Sequence, residues 1–281
     1  MEKNEVRKTV RREYSEIAKK NSKVCCGDSK SDAKSISQAV GYTKKELDSI
    51  PAESIMGLGC GNPTAIASLK EGETVVDLGA GGGLDVFLAA TKIGDTGKAI
   101  GVDMTPSMVD LARSNAENND ITNVEFRLGE IENLPIADNT ADVIISNCVI
   151  NLSPEKQRVF NEAYRVLKPG GRLAISDLVL LKPLPETVRN NKKLLAACVA
   201  GAELKDNYIN MIEKSGFRDI KVTEKQNISQ EIRAEKTEDA KTDFKVVLDG
   251  TEVDIDDLEE DREDILMLAN TVKSITVTAL K

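Results

Sequence analysis

Val75-Val76-Asp77-Leu78-Gly79-Ala80-Gly81-Gly82-Gly83 is the stretch that decides the fold. An apolar run interrupted by one acid reads as a short buried strand, Thr74–Leu78. Glycine and alanine then fill positions 79–83, where missing side chains let the backbone approach a ligand. Leu84–Lys92 has helical spacing, so its free N–H groups face whatever rests on the turn. The dinucleotide fingerprint is G-x-G-x-x-G/A. Counted from Gly79, Gly81 fits it, but Leu84 stands at the last position. The spacing is instead Gly79-x-Gly81-x-Gly83.

Working outward, the chain alternates strands and helices. Lys98–Asp103, Val124–Leu128, Ala141–Asn147 and Arg172–Leu180 read as strands. Pro106–Asn118 and residues 154–167 read as helices, and Lys168-Pro169-Gly170-Gly171 as a turn. That alternation predicts an α/β fold, a doubly wound, mostly parallel sheet covered on both faces. Asp103 ends the second strand, where an acid bonds ribose hydroxyls in such folds. Downstream, 186–202 and 206–215 read as helices and Phe217–Lys225 as a strand. Phe244–Leu248 and Glu252–Ile255 flank Asp249-Gly250, a hairpin signal. Ser274–Leu280 closes the chain as a strand. Upstream, residues 3–20 carry Val6, Val10, Tyr14 and Ile17 at helical spacing, 21–35 read as a loop, and 43–49 as a helix. The expected division is an N-terminal helical and cysteine-loop extension at 1–50, a ligand-binding domain at 51–225, and a small C-terminal α+β segment at 226–281.

Composition narrows the function. The 281 residues carry 38 basic and 47 acidic side chains, a net charge of −9. That surface is unsuited to nucleic acid. No apolar run is long enough to span a membrane, and the basic N-terminus lacks the apolar segment of a secretory signal. A cytoplasmic location is expected, in which the five cysteines are thiols. Histidine is absent, so a metal or metalloid site must use sulfur or oxygen. Residues 252–264 hold nine acids, which reads as solvated surface.

The loop spacing, with Asp77 just before it, resembles that of S-adenosylmethionine-dependent methyltransferases. Gly129-Glu130-Ile131-Glu132-Asn133-Leu134-Pro135, Asp142–Asn147 and Arg165–Gly171 resemble that family's adenine-side segment, fourth strand and following turn. The resemblance implies S-adenosylmethionine as cofactor, bound by Asp77, Gly79, Gly81, Gly83, Asp103, Met104, Ile131, Glu132 and Asn147.

Cys148 follows the fourth strand, Cys60 lies in a glycine loop before the first, and Cys198 follows the fifth. Ligands of doubly wound sheets bind at the strands' carboxyl ends, which puts Cys148 near the cofactor. A free cysteine is often only a small buried hydrophobe. Three around one crevice suit a thiophilic centre. Gly57-Leu58-Gly59-Cys60-Gly61-Asn62-Pro63 together with Ser146-Asn147-Cys148-Val149-Ile150-Asn151-Leu152-Ser153-Pro154 resembles the arsenite methyltransferase family. That resemblance implies trivalent arsenic, taken as arsenite or a thiol conjugate, on Cys60, Cys148 and Cys198, and methyl transfer giving methylated arsenicals. It further implies a disulfide between Cys60 and Cys25 or Cys26, and a thiol reductant of the thioredoxin or glutathione type. Two alternatives share some of these features: a methyltransferase of a small organic acceptor, and a thiol-based metalloid-binding protein without catalysis.

Overall fold

The structure, a computed structural model, describes residues 2–23, 29–196, 198–224 and 271–281, and the strands at 231–236, 242–248 and 251–254. In chain order the elements are α1 (Lys3–Lys23), α2 (Ser29–Ala39), α3 (Lys44–Asp48), α4 (Pro63–Ile66), β1 (Thr74–Leu78), α5 (Leu84–Ile93), β2 (Lys98–Asp103), α6 (Pro106–Asn118), β3 (Val124–Leu128) and β4 (Ala141–Asn147). They continue with α7 (Lys156–Val166), β5 (Leu167–Leu180), α8 (Glu186–Arg189), α9 (Lys192–Ala196), β6 (Glu203–Leu204), α10 (Lys205–Lys214), β7 (Arg218–Glu224), β8 (Glu231–Lys236), β9 (Thr242–Leu248), β10 (Thr251–Asp254) and β11 (Val272–Leu280).

The main sheet runs β3-β2-β1-β4-β5-β11-β7, with β6 beside β5. The strands from β3 to β5 are parallel, and β11 is antiparallel to both its neighbours. This is the expected doubly wound sheet. Strand order reverses between β1 and β4, so a crevice opens at their carboxyl ends. Val75, Val76, Leu78 and Val143–Ser146 are buried, as parallel strands covered on both faces require. One apolar cluster packs α7 and α10 on one face, and a second packs α5 and α6 on the other. A third fills the carboxyl edge and contains Cys60, Cys148 and Cys198 with Val10, Leu184, Val188 and Leu194.

β11 fills the slot between β5 and β7. The final strand, grouped by sequence with the acidic segment, is thus a member of the main sheet. Residues 225–271 are an insertion between two neighbouring strands, and β8, β9 and β10 form an antiparallel sheet within it. The Asp249-Gly250 turn lies outside the described residues, while the β9–β10 pairing that flanks it is present.

Other departures have local causes. Residues 29–35, expected as part of a loop, belong to helix α2. Ala33 and Ile36 form the face near Gly57, a stripe too small to announce itself. The segment 186–202 is two short helices rather than one. Asn191 starts the second by accepting from Leu194 N–H at 3.0 Å, and Cys198 then adopts φ +62°. Residues 168–171 are not a separate turn but an irregularity inside β5, where Ala141 pairs with Leu167 and Val143 with Arg172. Among the described residues no helix is long and apolar enough to cross a membrane.

Candidate functional site

The loop after β1 is held by Val102 O, which accepts from Gly79 N–H at 2.7 Å and Ala80 N–H at 3.0 Å. Gly79 has φ +73°, and a Cβ there would lie 2.4 Å from Val149. Gly81, at φ +52°, would meet nothing within 4 Å. The loop therefore turns tightly against Val149 and presents an open backbone face at Gly81. Gly81 N–H donates to Asp103 Oδ2 at 3.0 Å, and Thr105 N–H donates to Asp103 Oδ1 at 2.8 Å. These bonds aim the β2 carboxylate at the turn.

Two buried carboxylates, Asp77 and Asp85, and the half-buried Asp103 crowd this edge. Asp77 accepts no side-chain hydrogen bond from the described residues, and it lines the cleft. Burial, with repulsion from Asp85 and Asp103, raises its pKa well above the usual carboxylate range. Asp85, in the first turn of α5, accepts from Tyr42 Oη at 2.8 and 2.9 Å and from Asn147 Nδ2 at 3.2 Å. Burial raises the pKa of Asp85, against the pull of those donors, and burial also raises that of Asp103.

Asn147 joins this end of the cleft to the thiols. Its Nδ2 donates to Tyr42 Oη and Gly61 O, each at 2.8 Å, while its Oδ1 accepts from Cys60 N–H at 3.0 Å. From the other side, Ser274 Oγ on β11 donates to Cys60 O at 3.2 Å. The Cys60 loop is therefore clamped between β4 and β11.

All three expected thiols come together, buried. Cys148 contacts both Cys60 and Cys198. Cys198 Sγ donates to Cys148 O at 2.6 Å and also meets Tyr14 of α1. Contact with Cys148, then burial, raises the Cys198 pKa well above the usual thiol value. At Cys148 the Cys198 contact lowers the pKa, but the Cys60 contact and burial outweigh it, and the net shift is well upward. Cys148 and Cys198 both occupy left-handed backbone, φ +58° and +62°, a strain that clusters at functional sites.

The wall over the cleft is α1. Arg7, Val10 and Tyr14 line it. Arg7 donates to Glu155 Oε2 at 2.7 Å and to Glu132 Oε1 at 3.2 Å, and Ser153 Oγ also donates to Glu132 Oε1, at 2.7 Å. The cleft runs from the glycine loop to the thiols. Asp77, Gly79, Gly81, Asp103, Met104, Ile131, Glu132 and Asn147 all line it; Gly83 lies behind the loop, against Phe87 and Phe126. Cys25 and Cys26 lie outside the described residues.

Sequence reasoning missed Tyr42, Asp85 and Asp177. Asp177 is fully buried next to the thiols and accepts from Tyr208 Oη, Asn151 Nδ2 and Leu178 N–H. Burial pushes its pKa up to about 7. The signal was present: each acid interrupts a mostly apolar run, Leu84–Leu88 and Leu173–Leu180, and a buried acid needs donors.

Residues 69–216 match a family model described as a methyltransferase domain. An arsenite methyltransferase of Halobacterium salinarum is 46% identical over 238 residues, covering 80% of this chain and 61% of its own length. The human arsenite methyltransferase is 32% identical, covering 76% of this chain and 58% of its own. The chain thus spans about three fifths of the length of the curated relatives it matches. Among solved structures, an arsenic(III) S-adenosylmethionine methyltransferase from Chlamydomonas reinhardtii superposes with a TM-score of 0.58 at 32% identity, covering 89% of this chain and 72% of that one.

Proposed function

Starting from a chain that belongs to the arsenite methyltransferase family of the methyltransferase-domain fold, we propose that it methylates trivalent arsenic held by Cys60, Cys148 and Cys198. The observation that carries this reading is the clamp of Asn147, which fixes the Cys60 loop and the carboxylate end of one cleft with a single side chain.

The residues suit S-adenosylmethionine. Gly81 leaves backbone open to the cleft, and Asp77 is a buried carboxylate in want of a donor or cation. Asp77 and the loop at Gly79 and Gly81 would hold the amino-acid end, Asp103 the ribose, and Met104, Ile131 and Glu132 the adenine side. When bound, the cofactor supplies an electrophilic methyl group on its sulfonium.

Capture of arsenite needs no added base. Each S–H proton leaves with one hydroxyl of the trihydroxide as water, so three As–S bonds form for three waters released. The raised thiol pKa values are therefore no obstacle. Completing the third bond turns Cys198 Sγ away from the Cys148 carbonyl. The thiols then hold the arsenic lone pair toward the cofactor end, and this fixed orientation is the main catalytic contribution. The apolar cluster around the thiols, with Val10 of α1, shields the side of the centre away from the cleft from bulk water. No proton leaves the nucleophile, in keeping with a chain that has no histidine.

Methylation removes an electron pair from arsenic. We assign its return to Cys60 with Cys25 or Cys26: the thiol of Cys25 or Cys26 gives its proton to solvent and attacks the Cys60 sulfur, the S–S bond forms as the Cys60–As bond breaks, and the electron pair of that bond stays on arsenic. A dithiol or tripeptide thiol then reduces that disulfide, which suits a cytoplasmic, reducing location. Residues 51–225 together with β11 carry the reaction.

The test is incubation of the full chain with arsenite, labelled S-adenosylmethionine and a thiol reductant, followed by separation of arsenicals. Methylated arsenic is expected. Cofactor binding without arsenical product overturns the proposal; arsenite retained stoichiometrically without turnover favours the non-catalytic binding protein instead. Cys148→Ser should lower arsenite affinity by more than about tenfold.

A further inference from the structure

Three sulfurs satisfy a trivalent metalloid, yet the cluster contains a carboxylate as well. Cys60 Sγ, Cys148 Sγ and a carboxylate oxygen of Asp177 lie within 4.8 Å of one another, all buried. Cys198 is not part of that group; its sulfur rests against Cys148 and the Cys148 carbonyl. Two thiols converging with one carboxylate is a donor set for a borderline-soft divalent cation, which takes cysteine sulfur and aspartate oxygen in a tetrahedron.

The carboxylate is also oriented as a ligand would be. Tyr208 Oη donates to Asp177 Oδ2 at 2.9 Å, and Asn151 Nδ2 and Leu178 N–H donate to Oδ1 at 2.8 and 2.9 Å. Hydrogen-bonded support of this kind is how proteins fix metal-binding carboxylates. Asn151 adds a second observation. It is 1% exposed, and its Oδ1 has no hydrogen-bond partner among the described residues, although its Nδ2 is fully used. A carboxylate is therefore held beside two of the thiols, and trivalent arsenic does not call upon it.

We propose that Cys60, Cys148 and Asp177 form a site for a thiophilic divalent cation of the zinc or cadmium class, which takes the metalloid's place and excludes it. Two S–H bonds give way to two metal–sulfur bonds, two protons pass to solvent, and the Asp177 carboxylate supplies the third donor. The fourth position is left to water from the cleft, which both cysteines line. Because Cys60 and Cys148 serve both guests, cation and arsenite compete.

The experiment titrates cadmium into the full chain, kept reduced by a non-thiol reductant, and follows the thiolate-to-cadmium charge-transfer absorption. One equivalent is expected to bind, and arsenite should displace it. Asp177→Asn should weaken cadmium at least about tenfold while leaving arsenite affinity within about threefold. Cys198→Ser should do the reverse, weakening arsenite and sparing cadmium. Absence of cadmium binding, or an Asp177→Asn variant that binds it as tightly as the wild type, overturns the proposal. Equal loss of both guests in Cys198→Ser also overturns it, and that arm decides the matter alone if Asp177→Asn does not fold. Cadmium binding is read without methyl transfer, so its failure is separable from failure of the proposed reaction.

Discussion

Tyr42→Phe removes one oxygen atom from a fully packed position and isolates the Asp85 interaction. Tyr42 is 3% exposed, and its hydroxyl donates to both oxygens of Asp85 while accepting from Asn147 Nδ2. Losing a hydrogen bond to a buried charge costs about 1.5–3 kcal/mol, against about 1 kcal/mol for a neutral pair. Asp85 keeps only Asn147, at 3.2 Å. Above the Asp85 folded pKa the loss should therefore be about 2–3 kcal/mol, and Tm should fall by roughly 3–5 °C for a chain of this size. Burial already raises the Asp85 pKa, so the folded state binds its proton more tightly than the unfolded chain does. Stability from this group is hence greatest at low pH and declines as pH rises from the unfolded carboxylate value through the folded one. Removing the donor raises the folded pKa further, which makes the penalty largest where the carboxylate is ionised. Thermal unfolding of variant and wild type at about pH 8 and about pH 5 should show a deficit about half as large at the lower pH. An equal deficit at both pH values, or a larger one at low pH, refutes the charged hydrogen bond.

Gly79→Ala and Gly81→Ala separate the fold from the ligand. Both need left-handed backbone, costing about 1–2 kcal/mol, but only Gly79 also meets Val149 at 2.4 Å. Gly79→Ala should lower Tm the more, whereas Gly81→Ala should stay folded and bind S-adenosylhomocysteine about tenfold more weakly, as calorimetry would report. Arg7→Met should loosen α1 over the cleft, weakening cofactor affinity about fivefold, equivalent to about 1 kcal/mol. In the wild type that affinity should fall with added salt, and the variant should lose the salt dependence.

The parallel half of the sheet was legible because its signals are local. Val75–Leu78 and Ile144–Ser146 are continuous buried runs, and the glycines that follow β1 allow one kind of turn. Cys148 was legible for the same reason, since it follows the carboxyl end of β4, which topology assigns to the crevice; Cys60, in a glycine loop ahead of α4, was legible through the resemblance its loop carries. Cys198 was found by resemblance but put on a helix, because Asn190-Asn191 looks ordinary until Asn191 caps a new turn. Asp85 and Asp177 were passed over because periodicity weighs one acid among apolar neighbours as an exception. Their meaning depends on partners far along the chain, Tyr42 and Tyr208. The same non-locality hid the position of β11, whose alternating pattern says strand but not which neighbours it joins.

That position carries a consequence for how the protein matures. β7 and β11 can pair only after residues 225–271 are spanned, and β11 brings Ser274 to the Cys60 carbonyl. Long-range pairing of this kind comes late in folding. The thiol pocket is therefore assembled near the end of the folding reaction, and an immature chain lacks the clamp that fixes the Cys60 loop beside the other two thiols. The closing strand then acts as a licence: under the proposed function, high-affinity capture of a thiophilic poison is a property of finished molecules alone.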